Sequence, residues 1–216
     1  MPPIPDQQLE ERILTAARRL WRKHGEPGLT LRGVARAAGT TTPTVYKRFR
    51  NKEAIRFALA SLFREEMLAA AFVSTSLEEI PRRYLAYAEA NPHEYDLLRL
   101  SWSQLFAPGR PRPGRTLAVA QMAARFGGAP EDYQQIADAM FLICHGTATM
   151  ITLSGDPAAQ KIMREVCIQT CDRLLEHVEI FRSRDSTRNR CWYHHASVHM
   201  NKTIQQEHAR RPHKNQ

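Results

Sequence analysis

The stretch TLRGVARAAGTTTPTVYKRF, from Thr30 to Phe49, decides the fold of this 216-residue chain. It contains two short runs of helix-compatible residues with Gly39 between them. A helix-turn-helix joins two helices at roughly 90–120° through a turn of three or four residues that often contains glycine. Ala35 is small enough for the next helix to cross close above it, Gly39 can adopt the left-handed backbone of a sharp turn, and Val45 can fill the angle between the helices. This spacing predicts a helix-turn-helix.

A cluster of threonines with one proline opens the second helix of this motif. Both residue types are poor in helix interiors and favourable at helix starts. In a helix-turn-helix, the N-terminal residues of the second helix face base edges in the major groove. Threonine hydroxyls can bond phosphates or bases, and threonine methyl groups can contact thymine methyl groups. The alternative interpretation is that these threonines serve only as helix caps and turn formers.

The residues around the motif favour contact with a phosphate backbone. Tyr46 can donate to a phosphate, while Lys47, Arg48, Arg50 and Lys52 supply positive charge. The helix that begins after Thr30 could itself present its N-terminus to a phosphate. The predicted DNA-binding residues are Thr30, Arg32, Thr40, Thr41, Thr42, Pro43, Thr44, Tyr46, Lys47 and Lys52.

The charge of the chain is distributed unevenly. Residues 1–64 carry 13 Lys and Arg against 5 Asp and Glu, residues 65–181 carry 10 against 15, and residues 182–216 carry 8 against 2. A basic N-terminal segment is typical of a protein that binds nucleic acid. A solvated basic face is the alternative interpretation of this charge.

The rest of the chain predicts an all-α fold without strands. An amphipathic helix with Asp6 as its N-cap is expected to end at Gly25, and a long helix is expected over about 51–72. Further helices are predicted on either side of the Asn91-Pro92 break and at about 116–126, 130–153 and 157–182. Residues 183–216 are polar and basic, and we expect them to be a largely disordered tail.

Residues 10–60 resemble the DNA-binding domain of the TetR family of bacterial repressors. The resemblance depends on the helix ending in Gly25, and on the pairs and runs Thr30-Leu31, Val34-Ala35, Ala38-Gly39, Thr44-Val45-Tyr46, Phe49 and Lys52-Glu53. The family often has Phe where this chain has Trp21, which is a conservative change. It commonly has Ser-Lys-Gly where this chain has Thr41-Thr42-Pro43, so the base preference of relatives does not transfer.

The later segments EANPHEYDLLRL and FLICHGTATM resemble a C-terminal ligand-binding domain that is named for a Trp-His-Gly motif. Cys144-His145-Gly146 stands at that motif, so the tryptophan is absent. The resemblance implies a DNA-binding domain over residues 1–64 and an effector-binding and dimerisation domain over residues 65–182. It implies a homodimer through the last two long helices, a double-stranded operator as partner and a pocket for an unknown small-molecule effector.

Several aromatic and apolar side chains of the second domain are candidates for the walls of that pocket, because pockets are mostly apolar with a few polar groups. His145 lies on an otherwise apolar helix and could anchor a ligand or simply pack in the core. The predicted ligand-binding residues are Tyr84, Trp102, Phe106, Met122, Phe126, Phe141 and His145.

The four cysteines are too few and too scattered for a disulfide scaffold. Cys167 and Cys171 share one helical face, and we interpret them as small apolar core residues. In the tail, Cys191, His194, His195 and His199 have spacings that could bind a metal, but no second cluster closes such a site. We therefore predict no metal and no cofactor.

The sequence also bears on localisation and on other classes of function. It has neither the apolar start of a signal peptide nor about 18 consecutive apolar residues, so we expect a cytoplasmic protein without membrane association. No nucleophile–base pair, metal-ligand cluster in the folded part or phosphate-binding loop indicates an enzyme. The alternatives are a DNA-binding adaptor with a protein partner or, less consistent with the residues, a small helical enzyme. Activation instead of repression remains open.

Overall fold

The computed structural model describes residues 7–72, 76–107 and 109–182, and this part of the chain is all-α. The predicted Asp6 cap, the tail and its candidate metal ligands lie outside the described residues. The helices are α1 (Gln7–Gly28), α2 (Leu31–Ala37), α3 (Thr42–Arg48), α4 (Lys52–Ala71), α5 (Glu79–Ala90), α6 (Pro92–Leu100), α7 (Trp102–Leu105), α8 (Pro113–Phe126), α9 (Gln134–Leu153), α10 (Pro157–Glu176) and α11 (Val178–Phe181).

Helix α1 ends its regular course at Gly25, as the sequence predicts. Gly25 has φ 61° and ψ −150°, so the residues after it form a separate turn at an angle to the helix. A side chain at this position would be strained by the positive φ and would come within 3.1 Å of the His93 ring. The glycine therefore permits both the kink and the close approach of α6.

Two other helix boundaries differ from the sequence-based expectation. Helix α8 begins at Pro113 instead of near residue 116, because proline is favourable in the first turn of a helix. The last predicted helix divides at His177 into α10 and the short α11. The break between α5 and α6 lies at Asn91-Pro92, where the sequence places it.

One hydrophobic core runs through the described residues, from Ile13 in α1 to Val178 in α11. Helices α1, α2 and α3 form the N-terminal unit, and helices α5 to α11 form the second unit. Helix α1 packs on α4 and α6. Helix α9 packs between α5 and α10, with α8 beside it. The predicted domain boundary between residues 64 and 65 lies inside α4, so this one helix connects the two units.

The segment Pro130–Leu153, which contains α9, is long and apolar enough to cross a membrane by length and composition alone, with a mean hydropathy of 1.5. One third of its most apolar window is buried, and its inner face packs on α5 and α10. Core helices of soluble proteins have the same composition. Its outer face carries exposed Leu142, Met150 and Leu153. Packing within the single chain does not explain why these apolar residues lie on the surface.

Candidate nucleic-acid interface and ligand cavity

The turn between α2 and α3 has the backbone geometry of a Schellman motif. Gly39 has φ 65°, its amide donates to the Arg36 carbonyl at 3.3 Å, and the Thr40 amide donates to the Ala35 carbonyl at 2.9 Å. These two bonds satisfy carbonyl groups that the end of α2 leaves open. A Cβ at Gly39 would meet nothing within 4 Å, so the requirement for glycine here comes from the backbone alone.

Val45 connects the two helices of the motif, since it lies on the inner face of α3 and is completely buried. Ala35 on α2 is buried as well, and α2 packs against both α1 and α3. Phe49 follows α3 and is also buried. These residues hold α3 in a fixed orientation with the rest of its surface directed outward.

Two of the threonines cap helices. The Thr30 hydroxyl accepts the Gly33 amide at 3.0 Å, and the Thr41 hydroxyl accepts the Thr44 amide at 3.4 Å. Thr41 and Thr44 also share a hydrogen bond between their hydroxyl groups at 2.9 Å. The Thr42 hydroxyl makes no hydrogen bond to the rest of the described chain. Capping therefore accounts for part of this cluster, and Thr42 keeps its full bonding capacity for another molecule.

The outer surface of the motif is open and basic. Thr41, Pro43, Tyr46 and Lys47 are exposed on α3 or at its start, and the Tyr46 side chain is 52% exposed. Within the described residues, the cations of α2, α3 and the turn after them make no ion pair, which leaves their charge available: these are Arg32, Arg36, Lys47, Arg48 and Arg50. Arg36 is absent from the sequence-based set of DNA-binding residues, although its exposure on α2 makes it an equally good candidate for a phosphate contact.

Lys52 differs from these cations. Its ammonium group lies 2.9 Å from a carboxylate oxygen of Glu26, and Arg56 lies 3.3 Å from the other oxygen. These pairs tie the start of α4 to the turn that follows the kink in α1. Lys52 could contact DNA only if its ion pair with Glu26 broke, or if its ammonium group bound Glu26 and a phosphate together.

Ion pairs and one hydrogen bond fix α1 against the second unit. The Trp21 indole donates to the His93 carbonyl at 2.7 Å. The Arg22 guanidinium lies 2.5 Å from Glu94 and 2.9 Å from Glu66. Glu94 is 4% exposed, so its carboxylate depends on Arg22 for compensation. We call this set of contacts the α1–α6 joint.

A cavity of about 430 Å³ lies in the second unit and has mostly apolar walls. Its size is in the range of sites for small organic molecules. Tyr84, Trp102, Phe106, Met122 and Phe141 line it, all of which the sequence analysis names. Met67, Leu68 and Phe72, from α4 and its C-terminal end, form another part of the wall. The helix that begins at the DNA-binding unit therefore also forms part of the cavity.

A stack of aromatic rings forms one side of the cavity. The ring centroids of Trp102 lie 3.9 Å from Phe106, 4.9 Å from Phe141 and 4.2 Å from His145, with interplanar angles of 22°, 5° and 11°. Offset stacking of this kind provides flat apolar surface and holds each ring in place.

His145 does not line the cavity, and its imidazole supports the stack from behind. Its Nδ1 lies 2.8 Å from the Tyr95 hydroxyl and 3.3 Å from the Tyr84 hydroxyl. Burial, and secondarily the charge of Arg99, lowers the pKa of His145, while burial raises the pKa of Tyr84 and Tyr95. The Tyr95 hydroxyl also donates to the His145 backbone carbonyl at 3.1 Å, so the imidazole and both tyrosines form one hydrogen-bonded cluster.

Phe126 also lies outside the cavity, contrary to the sequence-based prediction. Its ring packs 6.3 Å from Tyr133 and beneath the Arg125 guanidinium at 5.0 Å. Helical periodicity identifies Phe126 as partly buried but gives no information on which side of α8 the cavity lies.

The cavity also has charged residues in its wall, none of which is among the sequence-based predictions. Arg64, Arg112, Arg115 and Asp138 line it. Arg115 pairs with Asp138 at 3.2 Å, and Arg112 lies over the Phe106 ring at 5.7 Å. The Arg64 Nε is buried without a hydrogen-bond partner among the described residues. A buried donor that has no partner in the protein is available to an acceptor on a ligand.

These features define a helix-turn-helix DNA-binding protein with an internal cavity suited to a small molecule. Residues 13–59 match the family model described as bacterial regulatory proteins, tetR family. This segment is therefore a DNA-binding domain of the type found in TetR-family regulators. Regulators of this family bind DNA in response to ligands.

Solved structures share the fold over most of the chain. A protein of unknown function from Rhodococcus sp. RHA1 is 24% identical, with a TM-score of 0.53 over 82% of this chain and 98% of that chain. A single-substitution variant of TetR from Acinetobacter baumannii AYE, in complex with minocycline, is 19% identical, with a TM-score of 0.59 over 84% and 99%. The multidrug binding protein EbrR, complexed with imidazole, is 20% identical, with a TM-score of 0.50 over 76% and 90%. No curated protein matches the chain.

Proposed function

We propose that this protein is a homodimeric repressor that leaves a two-fold symmetric operator when a small effector enters the cavity. The observation that carries the proposal is the open basic surface of α2 and α3 in a chain whose α4 also lines a ligand-sized cavity. A repressor of this type is cytoplasmic. Promoter position decides between repression and activation.

The proposed DNA contact places α3 in the major groove. The exposed N-terminal residues of α3 would reach base edges, while Lys47 and the unpaired arginines would contact phosphates. The predicted DNA-binding residues from the sequence stay a proposal, with Arg36, Arg48 and Arg50 added to them. Lys52 has the weakest support because Glu26 already neutralises it.

The proposed dimer interface is the exposed apolar face of α9 and α10. On α9, Leu142, Met150 and Leu153 follow helical spacing on one side. On α10, Ile162 and Val166 are 63% and 57% exposed and stand one turn apart. A soluble protein rarely leaves such a contiguous apolar surface uncovered. A second copy, related by a two-fold axis, would cover it with the same face.

The proposed effector is a flat aromatic molecule with an acidic group. The stack of Trp102, Phe106 and Phe141 offers planar apolar contact, and Arg64 offers an unpartnered donor. Ligand binding would shift the conformational equilibrium only as far as its affinities for the two states differ. Helix α4, which reaches from the cavity to the DNA-binding unit, is the element through which we expect that shift to act.

Replacing Lys47 with Ala tests the DNA interface. We expect operator affinity to fall about tenfold, and the slope of log K against log salt to become about 0.9 less steep, because one phosphate contact disappears. Fluorescence anisotropy with DNA selected from a random pool, measured over a range of salt concentrations, gives both values. Lys161→Ala removes the same charge from exposed α10 and should leave affinity and slope unchanged. Equal effects of the two substitutions would contradict the proposed surface.

Replacing Trp102 with Ala tests the cavity. The probe is 1-anilinonaphthalene-8-sulfonate, an aromatic anion with a planar naphthalene ring. We expect one molecule to bind per chain, and Trp102→Ala to weaken binding about tenfold, because removal of the central ring of the stack loses aromatic contact. Phe126→Leu is the matched control, since it alters an aromatic residue outside the cavity. Binding that is insensitive to Trp102, or equally sensitive to both residues, would show that the cavity does not hold the probe.

A further inference from the structure

Three cysteines converge between α9 and α10. Cys144 lies on α9, and Cys167 and Cys171 lie one turn apart on α10. Their sulfur atoms all lie within 4.8 Å of one another, and the Cys144 and Cys171 sulfurs are 3.9 Å apart. All three side chains are buried, with at most 4% exposure. The sequence indicates only that Cys167 and Cys171 share a face, since the third member comes from a different helix.

The spacing of the sulfurs matches a three-coordinate metal site. Bonds of about 2.3 Å to one ion separate neighbouring sulfurs by about 4.0 Å when the ion lies in the plane of the sulfurs, and by less when it lies above that plane, as trivalent arsenic does because of its lone pair. Within the described residues, no His, Asp or Glu joins the three cysteines in this cluster. A closed tetrahedral zinc site needs four ligands. The geometry therefore favours a soft ion that accepts three sulfurs.

We propose that Cys144, Cys167 and Cys171 bind one soft, three-coordinate, thiophilic ion, of the class of trivalent arsenic or Cu(I). Thiolates are the ligands that soft ions select. With arsenous acid the reaction is a condensation: three S–H and three As–O bonds break, three As–S bonds form, and three water molecules leave. No electron is transferred, so no oxidant or reductant is needed.

Charge balance favours the trivalent ion. Three thiolates around trivalent arsenic form a neutral unit, whereas three thiolates around Cu(I) carry a net charge of −2, which is costly in a buried site. Asp172, which follows Cys171 in the chain, is already paired with Arg82 at 2.9 Å.

The cavity offers a route to the cluster, because Cys144 also forms part of its wall. An ion bound there would connect α9 to α10 and border the effector site. The bound ion would be a second regulatory ligand, distinct from the aromatic effector. A site of this kind is expected to stabilise the folded chain, since the ion binds the native arrangement and not the unfolded one.

Arsenite and Cu(I) are the two probes for this site, applied separately to the full chain after reductant is removed. We expect one arsenic atom per chain after desalting, three sulfur neighbours in X-ray absorption, and a higher melting temperature. Cys144→Ala, Cys167→Ala and Cys171→Ala should each lower the affinity for the ion at least tenfold. A control variant that combines Cys191→Ser, His194→Ala, His195→Ala and His199→Ala should retain full binding.

Stoichiometric binding of either ion that depends on all three cysteines supports the site. Failure of both ions to bind the wild-type chain would overturn it whether or not the variants fold. Binding that survives loss of the three cysteines, or a disulfide that forms within the cluster and excludes the ion, would also overturn it. These assays use no DNA, so their outcome is independent of the repressor proposal.

Discussion

Introducing glutamate at both Ile162 and Val166 is expected to convert the proposed dimer into monomers and to weaken operator binding at least 100-fold. Both side chains are more than half exposed in the single chain, so the substitutions should change its folding free energy by no more than about 0.5 kcal/mol. At the two-fold interface they would bury four carboxylates without partners. A monomer would lose the avidity that two linked recognition helices provide, which is of order 10²–10⁴.

Sedimentation velocity and fluorescence anisotropy measure the two parts of this expectation on the same preparation. Leu100→Glu provides the control, because Leu100 is a half-exposed apolar residue on α6, a helix that contributes no residue to the proposed interface. It should leave both the dimer and the affinity intact. A double variant that still sediments as a dimer would show that another surface forms the interface.

Replacing Arg22 with Met is expected to lower the free energy of unfolding by about 3 kcal/mol, because it leaves the buried Glu94 carboxylate without its ion-pair partner. For a chain of this size, that change lowers the melting temperature by about 10 °C. Arg22→Met with Glu94→Leu should recover most of the loss, since the pair is then replaced by apolar groups. Thermal and urea denaturation measure these differences.

Arg18→Met gives the matched comparison for the α1–α6 joint. Arg18 pairs with Glu66, whose side chain is 27% exposed and is also contacted by Arg22. Partly exposed pairs contribute little, so we expect a loss of at most about 1 kcal/mol. Similar losses of unfolding free energy for Arg18→Met and Arg22→Met, or no recovery in the Arg22→Met, Glu94→Leu variant, would contradict this expectation. Burial of Glu94 would then not determine how much the α1–α6 joint stabilises the fold.

The local elements of this fold can be read from the sequence. Gly25 and Gly39 end their helices as expected, because a positive φ at the end of a helix strongly favours glycine. Thr30 and Thr41 cap the helices that follow them. These features depend on residues within one or two turns, so no knowledge of the tertiary arrangement is required.

Long-range contacts are less accessible from the sequence. The contacts from Trp21 to His93 and from Arg22 to Glu94 each join residues 72 positions apart. Periodicity indicates that a residue is buried but not which helix it meets. This is why five of the seven predicted ligand-binding residues line the cavity while Phe126 does not. Arg64 is missed because an arginine on a helix is usually a solvated surface residue.

Selection of bound DNA from a random pool decides whether α3 recognises a symmetric operator. We expect enrichment of a two-fold symmetric sequence whose half-sites lie about one helical turn apart, or at a related spacing. We also expect a changed or lost sequence preference when Thr42, Pro43 and Tyr46 are replaced by Ala in a dimer that still folds. Failure to enrich any sequence, or the same preference after the surface of α3 is changed, would show that α3 does not read the operator.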